Sequence, residues 1–151
     1  TDTDTDLSVY DSTVDASDSA AWVYFDLDTR TIMSAADTEW DLAFKRYDVM
    51  LNGGTSGTGG VQVVAQTGAY DAFDTSTSAP SAGWVTDTTG AYAMGTWYDY
   101  DFMTHTLSPA DVLYFVQTVE GDYFRLKFTD YYDSTGTSGH VSFQSGPISG
   151  D

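Results

Sequence analysis

Apolar residues in this chain recur at every second position, in short runs broken by turn residues. In residues 123–128, Phe124, Leu126 and Phe128 alternate with Tyr123, Arg125 and Lys127, the period of a strand with one face in a core. With the apolar run of residues 112–116 before it and Glu120–Gly121–Asp122 between, the segment predicts a β-hairpin. Residues 21–33 predict another, turning at Asp28 and Thr29. Trp40, Leu42, Phe44, Tyr47, Val49 and Leu51 fit two strands whose register changes near Lys45 and Arg46, which suggests a bulge or bend. "VQVVAQ" and "GHVSFQSG" add a strand each, and residues 67–102 read as loops and short strands rich in aromatics. No stretch holds a 3.6-residue period for a dozen positions, so the expected fold is all-β, a single domain of many short antiparallel strands.

Two segments stand apart. Residues 1–12 begin "TDTDTD", a Thr/Asp extension expected to act as a tether or as a strand donated to a neighbour, with the β domain over residues 13–151. Residues 53–60, "GGTSGTGG", separate two strands, and glycine with positive φ suits a tight turn there better than a linker.

Composition narrows the function. The chain has 151 residues, 41% of them hydrophobic, enough for one core. Five basic residues against 23 acidic ones give a formal charge of −18, which removes nucleic acid as a partner because the cations that displace phosphate counterions are missing. Among the acids only Glu39 and Glu120 are glutamate; aspartate prefers turns and caps, again a strand-and-loop pattern. So acidic a surface also suits a saline or calcium-rich extracellular setting, and calcium is carried as an expected cation. Without cysteine there are no disulfides, thiolate metal sites or cysteine nucleophiles. The start has neither a basic nor an apolar leader region, so the chain reads as a mature or trimmed form.

Catalytic patterns are weak, and the expectation is a non-enzymatic protein. Asp99 and Asp101 share a strand face, but such pairs arise by chance in a chain this rich in aspartate. The first six residues resemble half a calcium loop, yet Leu7 stands at the turn-glycine position and Thr13 at that of the bidentate glutamate. No nucleophile elbow occurs, and the glycine loop lacks the Lys–Ser/Thr of a phosphate loop. What remains are imidazole and thioether side chains: His105 and His140, with Met33, Met50, Met94 and Met103, the residue types that haem iron takes axially.

A resemblance adds to this. "EWDLAFKRYDVMLNGGTSGTGGV", preceded by "TVDASDSAAWVYFDLDT" and followed by "FMTHTLSPADVLYFV" and "VEGDYFRLKFTDYYD", resembles the HmuY family of haem-binding bacterial surface lipoproteins, in order over most of residues 13–145. The resemblance implies an all-β fold, an extracellular or outer-membrane location, a lipidated cysteine ahead of Thr1, and haem held between His or Met ligands and passed to an outer-membrane receptor. Carried across, it implies His105 as one ligand, and Met94, or else Met103, as the other. Lys45 and Arg46 are then expected either to pair with Asp41 and Asp48 or to meet haem propionates. The alternative expectation is a self-assembling subunit of an extracellular filament or surface layer, joined by strand addition through Thr1, Asp2, Thr3, Asp4, Thr5, Asp6, Leu7 and Val9.

Overall fold

The alternating segments form three antiparallel sheets in the computed structural model, which describes residues 9–150. In chain order the strands are β1 (Tyr10–Asp15), β2 (Val23–Asp26), β3 (Thr31–Met33), β4 (Leu42–Lys45), β5 (Asp48–Leu51), β6 (Gln62–Gln66), β7 (Tyr98–Asp101), β8 (Thr106–Pro109), β9 (Leu113–Gln117), β10 (Tyr123–Tyr132) and β11 (Ser138–Pro147). A single 3-10 turn lies at Tyr70–Ala72. One sheet has the order β1-β11-β10-β9-β6, a second β3-β2-β4-β5, and β7 pairs with β8 alone.

The two larger sheets meet through aromatic side chains. Phe25 on β2 and Phe44 on β4 reach Phe143 on β11 at ring distances of 5.4 and 5.6 Å, and Phe143 contacts Phe128 on β10 at 6.0 Å. Leu42, Leu51, Val63, Leu126 and Val141 are fully buried around them, each worth about 1.5–3 kcal/mol on leaving water.

The other face of the five-stranded sheet is not open to solvent, as the polar positions of β10 had suggested. Residues 67–84 fold over it and form a second core of Tyr70, Leu113, Phe115 and Ile148, with Phe73 edge-on to Phe115 at 5.1 Å. Arg125 is therefore fully buried; its guanidinium lies 4.4 Å over the Tyr70 ring and donates to the Pro147 carbonyl at 2.9 Å. A planar, weakly hydrated cation tolerates such a place better than lysine would.

The register change near Lys45 and Arg46 is a hairpin reversal, not a bulge. Lys45 pairs with Asp48, and the turn between them puts Arg46 at φ 55°, where a primed hairpin turn ordinarily uses glycine. Asp41 is not its ion partner. Buried within the sheet, Asp41 accepts the amides of Leu27 and Val119, both at 2.8 Å. Lys45 instead lies 4.7 Å over the Trp22 ring, and Arg46 donates to the Ser17 carbonyl at 3.1 Å and to Ser138 Oγ at 2.9 Å.

The glycine-rich segment is a turn built around Asn52. The Asn52 amide donates to the carbonyls of Thr38 and Trp40 and accepts the Gly59 amide at 3.0 Å. A Cβ at Gly57 would run into that same amide, and Gly54, at φ 61°, would press one on the Asp87 carbonyl. Glycine is required there by space as well as by backbone conformation.

At the N-terminal side, β1 crosses the boundary expected at residue 12. Tyr10, Asp11 and Ser12 pair with Ser145, Gln144 and Phe143 of the same chain, so this part belongs to the main sheet. Val9 is half exposed just before it, and the expectations for Thr1 to Leu7 lie outside the described residues.

Candidate functional site

Chain reversals and one strand end surround a cavity of about 630 Å³. Arg46 and Tyr47 come from the β4–β5 turn, Tyr98, Tyr100, His105 and Leu107 from the β7–β8 hairpin, Tyr131 and Tyr132 from the end of β10, Gly136 from the β10–β11 connection and Ser138 from the start of β11. Local structure explains each wall. β10 is bulged on either side of Asp130, whose carboxylate accepts the amides of Tyr131 and Tyr132 at 2.8 and 3.1 Å; a bulge re-aims the side chains that follow it. The β7–β8 hairpin is tied to that bulged end by the Leu107 amide, which donates to Tyr132 Oη at 3.0 Å. Trp97, fully buried, packs edge-on to Tyr98 and tilted against Tyr131 and donates to the Tyr47 carbonyl at 2.8 Å.

Among the described residues, three that are not glycine have positive φ: Arg30, Arg46 and His105, at 54–58°. Two of them, Arg46 and His105, line this one cavity. A left-handed conformation in a residue with a Cβ costs of order 1 kcal/mol, and such costs gather at functional sites.

Chemically the cavity offers five phenol rings, one leucine, one imidazole and one guanidinium. Flat apolar faces with polar tips suit a large planar ligand, and the volume lies within the roughly 300–1,000 Å³ of small-molecule sites. Arg46 keeps further N–H donors beyond those given to Ser17 and Ser138, and a guanidinium is suited to a carboxylate.

The candidate ligand residues fall in different places. His105 is on the cavity wall, with Nδ1 3.1 Å from Tyr100 Oη. Met103 sits at the hairpin tip and is 89% exposed. Met94 is fully buried in the main core with Trp97 and Leu107, and does not line the cavity; its thioether is packing. Met94→Ala should therefore lower stability by about 2–3 kcal/mol, measured by urea unfolding, and leave ligand spectra unchanged. His140 bridges Asp15 and the Thr137 carbonyl between β1 and β11. Met33 and Met50 are half-buried on β3 and β5, away from the cavity. Asp99 is exposed, and Asp101 accepts the Met103 amide to shape the turn. The tyrosines are the part of the site that sequence reading missed; the dense "YDYDF" and "DYY" runs were its signal.

Carboxylates gather elsewhere, where the β2–β3 turn meets the β9–β10 turn: oxygens of Asp26, Asp28 and Glu120 lie within 4.8 Å of one another. Burial pushes the Asp28 and Asp41 carboxyls up to about 7, with hydrogen bonds to Asp122 and Asp26 respectively acting in the same direction. No calcium is assigned to this corner.

Comparison with known proteins agrees with this architecture. The sequence model of the HmuY family, described as HmuY protein, matches residues 18–106 and 88–144. The chain belongs to the HmuY family. Among solved structures, similar ones include a protein of Bacteroides vulgatus ATCC 8482 described as HmuY-like and heme-binding, with TM-score 0.71, 21% identity, and coverage of 91% of this chain and 90% of that one. The apo HmuY analog of Tannerella forsythia aligns with TM-score 0.67 at 16% identity, over 91% and 94% of the two chains. A Bacteroides fragilis NCTC 9343 protein described as a lipoprotein aligns with TM-score 0.67 at 22% identity, over 91% and 88%. At these identities the likeness concerns the fold. No curated protein matches the chain.

Proposed function

We propose that this HmuY-family protein is a non-enzymatic haem-binding protein of the bacterial surface, and that haem enters the tyrosine-walled cavity beside His105. The observation that carries the reading is the cavity itself: planar aromatic walls, an imidazole on the β7–β8 hairpin and the Arg46 guanidinium lining one space. Family membership and the described haem-binding relative support it. Haem bound there would supply the iron centre and two carboxylates; Arg46 would hold a carboxylate and the rings would exclude water. The β7–β8 hairpin, which carries His105 with Tyr100 beside it, is the proposed iron-facing wall. An outer-membrane receptor and an anchoring lipid ahead of Thr1 belong to the same proposal.

Titration with ferric and ferrous haem, followed by Soret absorbance, tests it. The wild type should give a saturable one-to-one shift, and His105→Ala should weaken it about tenfold or more; no saturable shift in either redox state would sink the reading. Met103→Ala should leave affinity within about twofold if the exposed tip takes no part.

A second reading, assembly by strand addition, has one observation in its favour. β1 is an edge strand, and the half-exposed Val9 and the exposed Ile32 flank a groove beside it, a place where a strand can add. Removing residues 1–8 should abolish polymers seen by light scattering if this reading holds.

A further inference from the structure

His105 does not face the cavity alone. Its Nδ1 lies 3.1 Å from Tyr100 Oη, and both rings line the same space. The hairpin sets this pair by its own geometry. Tyr100 opposes Leu107 and Asp101 opposes Thr106 across β7 and β8, and Asp101 Oδ1 accepts the Met103 amide at 2.8 Å to fix the turn. His105, at φ 54°, is then turned back toward Tyr100.

The donor set of the walls is nitrogen and oxygen. Met94 is sealed in the core, and Met103 projects from the tip. Among the phenols, Tyr132 Oη already accepts the Leu107 amide and Tyr131 Oη is buried. Tyr100 is 43% exposed and has an imidazole nitrogen at hydrogen-bond distance. A phenol releases its proton in water only near pH ~10, so its use as a ligand at neutral pH calls for a base beside it.

We propose that Tyr100 is the iron ligand of this site and His105 its base, which makes the site selective for ferric over ferrous haem. The inference rests on the haem reading above. With haem bound, Tyr100 would give its O–H proton to His105 Nδ1 and offer the freed oxygen lone pair to the iron, with no electron transferred. A hard, anionic phenolate favours the higher oxidation state. The imidazolium formed beside it gives a charge-assisted hydrogen bond to the ligating oxygen.

The test compares wild type, Tyr100→Phe and His105→Ala, each checked for folding by far-UV circular dichroism, with ferric haem and with dithionite-reduced haem. Absorption and resonance Raman spectra are read across pH 6–10. Wild type should bind ferric haem at least tenfold more tightly than ferrous and show an iron–phenolate band. Tyr100→Phe should lose the band and that preference, and His105→Ala should keep the band but need higher pH to develop it. If wild type gives a saturable Soret shift and Tyr100→Phe shows the same spectrum and redox preference, Tyr100 is not the ligand and the haem reading stands. A wild type with no saturable shift overturns both.

Discussion

Asp87→Ala lowers the stability of the folded protein by about 4–5 kcal/mol, the largest loss expected from any single substitution considered. Asp87 is 1% exposed, and among the described residues backbone and hydroxyl donors, not a cation, hold its carboxylate. One oxygen accepts the Leu51 amide at 2.9 Å and the Ser56 hydroxyl at 2.7 Å, and the other accepts the Ala93 amide at 2.8 Å. Those donors belong to the end of β5, the glycine-rich turn and the loop that leads to Met94. Its backbone carbonyl also accepts the Thr55 amide. Truncation leaves one buried and one half-buried amide without an acceptor, at about 1–3 kcal/mol each, and loses charge-assisted bonds besides. Asp87→Asn keeps the shape but can accept at only one atom, so it should fall between wild type and alanine. Urea unfolding of the three proteins measures this, and equal midpoints would refute it.

Stability should fall as pH rises from about 4 to about 8, by up to about 4 kcal/mol. Asp41 is the main cause. Burial lifts its carboxyl from 3.8 to about 7, and the negative neighbour Asp26 adds to the shift, while the amides of Val119 and Leu27 oppose it. The folded state therefore binds more protons than the unfolded chain between these values, and the stabilisation is lost as pH climbs through 7. That rise at Asp41 corresponds to about 4 kcal/mol. Asp28 shifts in the same direction but is more open to water, so it is left out of that figure. Asp26→Asn should flatten the profile and stabilise the protein at pH 8, because an amide can donate to Asp41 without needing a proton. Exposed Asp99→Asn removes the same formal charge and controls for general repulsion in a chain of charge −18. Equal effects of the two substitutions would contradict the buried-pair account.

The fold was legible because period-two alternation states which face of a strand is buried, and the hairpins at Asp28–Thr29 and Glu120–Asp122 carry ordinary turn chemistry. Alternation is silent on what covers the second face of a sheet. It therefore placed Arg125 among polar outward positions, while residues 67–84, with no periodicity of their own, fold over it. The turn at Arg46 read as a bend because its left-handed position holds arginine where glycine would have marked a hairpin. Of the candidate site, His105 was found by residue type. The tyrosine walls were hidden because they come from segments up to 92 residues apart, as the Arg46–Ser138 hydrogen bond illustrates, and no local pattern joins them. Met94 was named from the resemblance, which carries no information on burial in this chain.

The β7–β8 hairpin contributes no strand to either large sheet, and only Leu107 of its two strands is buried. Change at Tyr100, His105 or the turn between them is therefore largely uncoupled from the folding of the rest. Such a hairpin is built like an exchangeable cassette. Descendants of one scaffold can trade one set of donor atoms for another, or give them up, while the two packed sheets go on selecting for the same shape.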